Sequence, residues 1–282
     1  MFRGRLRPEG PALGLKQEGG MTIATTSSTA GRSPLRHLPI LAAILAFIAV
    51  ALLAAAPLGW RAGWWHFRFS LLTLLPWAAY FGIAALVVSV LALLLGRSRI
   101  RSRGVEIAVI AFVAGALVAY VPWHYDSVRH TVPPINDITT DIGDPPAFIA
   151  VVAARTAGEG ANPVAYPGAK FAEQQKQAYP DIAPLVVALP PDRAFSRALD
   201  VAQSMGWKIV TADPIAGRIE ASDRSRWMGF VDDIVIRITP SGSGSRIDMR
   251  SSSRLGRSDF GVNAARIRSY LAALRGAAGG QG

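Results

Sequence analysis

The stretch SRIDMRSSSRLGRSDFGVNAARIRSYL, Ser245 to Leu271, decides how the C-terminal half of the chain folds. It opens in strict alternation, Ile247 and Met249 on one side and Asp248 and Arg250 on the other, which is the period of a strand with one buried face. It turns polar at Ser251 to Arg254, bends at Gly256 and Gly261, and then takes a helical period. The spacing predicts a closing helix from about Ser258 to Leu274, with Phe260, Ala264, Ile267, Leu271 and Leu274 facing inward.

Upstream, Val231 to Thr239 alternates in the same way, and PSGSGS, Pro240 to Ser245, supplies a turn. With Thr239 opposite Arg246, Ile238 meets Ile247, Ile236 meets Met249, Arg237 meets Asp248, and Asp233 meets Ser252. A slip of one residue would mix the apolar and charged faces, so this register is self-consistent. Two further strands are predicted at Trp207 to Ala212 and Arg218 to Ser222. Before them DRAFSRALDVAQSMGW places Phe195, Leu199, Ala202 and Met205 at helical spacing, with Gly206 as the stop. Residues 131 to 190 are rich in proline and predict one short helix, about Ala169 to Ala178, within an extended wrapping segment.

The N-terminal half is of another kind. Leu38 to Gly59, Leu71 to Gly96 and Val105 to Trp123 are apolar runs near the ~20 residues that cross a bilayer, and none shows the polar face of a buried core helix. The net charge of +11 follows them: residues 1–133 carry 13 basic and 4 acidic groups, the remainder 17 and 15. That placement fits membrane flanks and not a nucleic-acid face, so no nucleic-acid partner is expected. Arginines crowd the tail before the first run and the loop GRSRIRSRG, Gly96 to Gly104. The positive-inside rule makes both cytoplasmic and puts the C-terminal domain on the far side of a bacterial inner membrane, in its periplasm. Trp60, Trp64, Trp65 and Trp123 fall on that side as an aromatic belt, and His66 and His124 read as interfacial rather than as a metal pair.

The expected class is α+β: three transmembrane helices, then a two-layer domain of an antiparallel sheet packed with two main helices. The divisions are 1–37, a disordered basic cytoplasmic tail in which Met21 offers a second start; 38–123, the three spans; 124–190, the Pro-rich wrapping segment; 191–276, the α+β core; and 277–282, a flexible tail.

Two motifs, NDITTDIGDPPAF (Asn136 to Phe148) and RIDMRSSSRLGRSDFGVNAARIRSYL (Arg246 to Leu271), resemble the signatures of the bacterial and plastid family called domain of unknown function 1499. QAYPDIAPL and MGFVDDIVIRI between them fit it too, and the resemblance covers about Pro134 to Leu274. It implies membrane or envelope association and transfers no catalytic residue.

Candidate chemistry concentrates in the polar corner of Arg250, Ser253, Arg254, Arg257, Asp259, Asn263 and Arg266. Guanidiniums beside a helix start suit a phosphate, a lipid head group or a carboxylate. The plainer reading has Ser258 or Asp259 capping the helix and Asp232, Asp233 and Asp248 neutralising the arginines. A second candidate is the loop of Arg224, Arg226, Trp227 and Phe230, which dips into the bilayer surface, grips an apolar ligand or lids the core. Asp137, Asp141 and Asp144 lack calcium-loop spacing and read as turn residues. The chain has no cysteine, no histidine after His130, no Gly-x-Ser-x-Gly elbow and no phosphate loop with lysine. No cofactor and no metal are expected. The leading expectation is a non-catalytic binding or scaffold module whose partners are the bilayer and an anionic lipid, a glycan or an envelope protein. The alternatives are an envelope hydrolase or transferase using carboxylate chemistry at Arg254 and Asp259, and a structural subunit of a membrane complex.

Overall fold

The structure is a computed structural model, and it describes residues 34–95, 102–158 and 160–279. The N-terminal tail up to residue 33, most of the arginine loop and the last three residues lie outside the described residues, and with them the readings made there.

Three helices are long and apolar enough to cross a membrane. They are α1 (Leu38–Arg61), preceded by a 3-10 turn at Pro34–His37, α2 (Phe67–Leu95), and α3 (Ser102–Arg129). Their packing inverts that of a water-soluble bundle. The buried positions are mostly small: Ala42, Ala46, Ala49 and Ala56 on α1; Ala78, Ala85, Ser89 and Ala92 on α2; Ala108 and Ala111 on α3, with Phe67 and Val118 as larger exceptions. Phe47, Leu72, Leu94, Ile110 and Leu117 point outward. Small residues let helix backbones approach where lipid gives no hydrophobic incentive to bury large ones. The closest approach is at Gly82 and Gly115, where a Cβ on either would come within 2.9 and 2.6 Å of the other's carbonyl oxygen. The α1–α2 turn is tied by the Ser70 hydroxyl, which donates to the Ala56 carbonyl (2.6 Å) and accepts from Trp65 Nε1 (2.8 Å).

The C-terminal part holds β1 (Asp137–Thr139), α4 (Val152–Thr156), α5 (Ala169–Ala178), β2 (Leu185–Val187) and α6 (Pro191–Ser204). It continues with β3 (Lys208–Asp213), β4 (Arg218–Arg224), β5 (Val231–Ser241), β6 (Gly244–Ser253) and α7 (Val262–Gly279). The antiparallel sheet runs β1-β6-β5-β4-β3. The outer edge of β6 is shared, β1 pairing with residues 250–252 and β2 with 245–247. The β5–β6 register is the one the alternation requires: Ile238 opposite Ile247, Ile236 opposite Met249, Arg237 opposite Asp248, Asp233 opposite Ser252. The strands run two residue pairs further than expected, to Ser241 opposite Gly244.

One sheet face packs on α6 and α7 around Ile219, Ile236, Ile247, Met249, Phe195, Ile267 and Tyr270. On the other face Phe148 and Val151 close over Val235. The Pro-rich segment thus covers the charged face, and it contains more regular structure than its prolines suggest: α4, β1 and β2 besides the helix at Ala169–Ala178. Three-residue strands carry no periodic signal of their own and exist because β6 offers them an edge. Three local expectations are corrected. The third apolar helix does not stop at Trp123 but continues to Arg129. The closing helix begins at Val262 and reaches Gly279, so residues 277–279, expected as flexible tail, are helical. Phe260 does not face inward. It takes a left-handed backbone (φ 54°), is partly exposed, and rests on Tyr125 of α3 with ring centroids 5.5 Å apart.

Candidate functional site

Strand parity divides the polar corner between the two faces of the sheet. Arg250, Ser252 and Arg254 project toward the Pro-rich cover, whereas Ser251 and Ser253 project toward α7. The seven corner residues therefore do not converge on one point.

On the covered face, Arg250 grips Asp137 through two parallel hydrogen bonds (Nε to Oδ1 2.9 Å, Nη2 to Oδ2 2.7 Å). Its guanidinium stacks on Phe148 at 4.6 Å. Arg254 holds Asp233 in the same bidentate way (2.9 and 2.8 Å). Asp233 also meets Arg155 Nη1 at 3.2 Å, a residue with no place among the sequence candidates. Arg155 is fully buried, and its remaining N–H groups go to the carbonyls of Pro163, Ser252 and Ser253 and to the Ser252 hydroxyl. Burial lowers its pKa despite the aspartate beside it. A lone arginine closing the apolar run Phe148–Ala154 was its only trace in the sequence. Glu220, also buried, accepts the N–H groups of Ile149 and Val151 (2.9 and 3.0 Å) and so pins the cover down.

On the α7 side, Asp223 and Asp232 stand directly opposite each other on β4 and β5. Facing like charges destabilise a sheet, and Arg266 resolves the pair by donating to both (2.9 and 2.8 Å). Asn263 ties Ser251, Ser253 and the Asn136 carbonyl together. Asp259 accepts the N–H groups of Gly261 and Asn263 (2.9 and 2.7 Å) and so caps the start of α7. Burial lifts its carboxyl above the ordinary range against the pull of those N–H groups. A carboxyl raised in the folded state favours the fold while protonated. That contribution is complete below the ordinary value of 3.8 and is lost as pH climbs through the raised value. Asp259→Asn is therefore expected to flatten the loss of stability between acid and neutral pH, checked by urea unfolding at a series of pH values.

The remaining corner residue differs. Among the described residues Arg257 holds no hydrogen bond or ion pair, and its side chain is exposed. It lines a cleft of about 400 Å³ together with Lys170, Gln174, Asn162, Asp137 and Arg155. The side chains of Lys170 and Gln174, on α5, also hold no hydrogen bond or ion pair among the described residues. Asp137 and Arg155 are committed to their buried partners, so among the described residues two unneutralised cations set the cleft's charge. Polar positions on an exposed helix carry no distinctive pattern, which is why α5 yielded no candidate from sequence.

The second candidate, the Arg224–Phe230 loop, lies on the helical region. Phe230 packs against Trp60 and Phe67 (ring centroids 6.3 and 5.8 Å), Met228 is buried, and Arg61 Nη1 donates to the Arg226 carbonyl (3.2 Å). Trp227 is half-buried, while Arg224 and Arg226 are exposed. The loop neither lids the sheet core nor stands free; it joins the domain to the α1–α2 corner. Phe230→Ala is expected to leave the sheet intact and to speed proteolysis at Arg224 and Arg226, read by mass mapping of tryptic fragments. Asp141 and Asp144 serve as turn and ion-pair residues, with Arg246 and Arg237 as partners. No group of acids and histidines fit to hold a metal occurs among the described residues.

Fold and corner together define a class: an antiparallel sheet domain, pinned by buried arginine–aspartate pairs, carried on three apolar helices long enough to cross a membrane. Residues 137–274 match the sequence model of the family described as "Protein of unknown function (DUF1499)", over the region that the motifs marked out. No curated protein matches the chain. Among solved structures, the crystal structure of TTHA0849 from Thermus thermophilus is similar at 15% identity, over 33% of this chain and 84% of that one, with a TM-score of 0.19. A likeness at that score carries no argument.

Proposed function

We propose that the chain is a non-catalytic binding module anchored in a bacterial plasma membrane, with its domain on the extracytoplasmic side and its ligand site in the Arg257–Lys170 cleft. One observation carries the reading. The ionic groups of the corner neutralise one another inside the fold, whereas Arg257 and Lys170 are left over, facing one cavity. Structural arginines are consumed by their neighbours; cations kept unpaired around a concavity are what an anionic ligand needs. The orientation rests on the arginine-rich tail and second loop against the arginine-poor, tryptophan-rich opposite end. The carboxylate route of a hydrolase has no support in the geometry, because Asp259 spends both oxygens on backbone N–H groups and Arg254 turns toward the other side of the sheet.

Native mass spectrometry of the gently extracted full-length protein tests the binding reading. A mass retained by the wild type and lost from Arg257→Gln/Lys170→Gln supports it, and identical spectra overturn it. Orientation is tested separately, since the chain has no cysteine of its own. Ser243→Cys, on the exposed β5–β6 turn, is expected to react with a membrane-impermeant maleimide added outside intact spheroplasts.

A further inference from the structure

We propose that the group bound in this cleft is a phosphate. The inference rests on the binding reading above and adds the ligand's chemistry. Three residues whose side chains have uncommitted donors among the described residues line it: Arg257 with its guanidinium, Lys170 with its ammonium and Gln174 with its amide. A planar fork and a compact point charge together match a group that carries more than one negative charge on several oxygens. A carboxylate carries a single charge and would leave one of the two cations unneutralised. The start of α5 supports the same sign of ligand. It opens at Gly168 with no side-chain cap, and Pro167 just before it and Lys170 and Phe171 of its first turn line the cleft.

The walls sharpen the preference. Asp137, the acid in the lining, has both oxygens taken by Arg250 and repels an anion little. Arg155 spends its N–H groups on Asp233, Ser252, Ser253 and Pro163 and offers a ligand in the cleft no direct bond. The volume of about 400 Å³ exceeds what a bare phosphate fills and leaves room for a small phosphorylated group such as a glycerophosphate.

A phosphate of that size comes from two sources, a phospholipid head group or a soluble phosphate. The chain between Arg257 and α7 approaches the apolar helices at Phe260, which rests on Tyr125 of α3. Full-length protein in phosphatidylcholine nanodiscs, with and without phosphatidylglycerol, separates the two. Equilibrium dialysis with radiolabelled inorganic phosphate and with glycerol 3-phosphate is run on the same samples, and co-purifying lipid is read by mass spectrometry. Retained phosphatidylglycerol with no uptake of the soluble probes assigns the head group. Uptake of soluble probes whatever the lipid assigns a soluble ligand. Under either assignment Arg257→Gln and Lys170→Gln each weaken binding at least about tenfold. Arg257→Lys retains part of it, and the charge-matched Arg193→Gln/Lys208→Gln control, on exposed positions of α6 and β3, leaves it unchanged. Neither Arg257 nor Lys170 holds another group in place, so both variants keep the wild-type amide-exchange pattern. A ligand without phosphate that is lost from the double variant overturns the phosphate assignment and leaves the binding reading standing. Wild type and double variant alike toward every probe overturns both.

Discussion

Arg155→Met will cost the domain about 3–5 kcal/mol, the range for breaking a buried ion pair by removing one partner. Arg155 and Asp233 are both fully buried. Its loss also orphans the Pro163 carbonyl, an acceptor for which a thioether has no donor. Arg254→Met is expected to cost less, about 1–3 kcal/mol, since Arg254 is one-fifth exposed and Arg155 still holds Asp233. The ordering is the content of the prediction. Hydrogen exchange of β5 and β6 peptides in the full-length protein should report the larger loss of protection for Arg155→Met. Equal losses would show that Asp233 depends on the sum of its partners and not on the buried one.

The second large effect belongs to the apolar helices. Gly115→Leu will force α3 away from α2, because its Cβ alone lands 2.6 Å from a backbone oxygen that no side-chain rotation can move. Overpacking of this kind costs about 1–3 kcal/mol in a well-packed interior. Here the gap opens along a contact made mostly of alanines, whose attraction fades quickly with distance. Val109→Leu, on the outward face of α3, is the control and should be silent. Thermal denaturation in mild detergent, followed by aggregation, measures both.

How far the sequence could carry these conclusions depends on the range of each signal. The β5–β6 hairpin was legible to the residue because alternation and turn chemistry act over a few positions, and Ile236 opposite Met249 satisfies both strands at once. The buried face of α6 was legible for Phe195 and Ala202 from spacing alone. The partner of Arg250 was not. Asp232, Asp233 and Asp248 together looked sufficient for the arginines, yet Asp248 serves Arg237 and Arg246, and Arg250 reaches Asp137 more than a hundred residues upstream. That pairing exists because β1, three residues long, docks on β6, and nothing in three residues announces a strand. The cleft was half visible. Arg257 drew notice through its neighbours, while Lys170 and Gln174 on α5 look like any solvated helix until folding places them across from it.

The length of α3 has a mechanical consequence. Its 28 residues make a rod of about 42 Å, against roughly 30 Å of hydrocarbon in a bilayer. The excess carries Tyr125 up to Phe260, and a second fastening at Phe230, Trp60 and Phe67 keeps the domain from swivelling about the rod. A body held at two points follows its support. In a bilayer too thin for such helices to stand upright, a lean of the rod would carry the sheet with it.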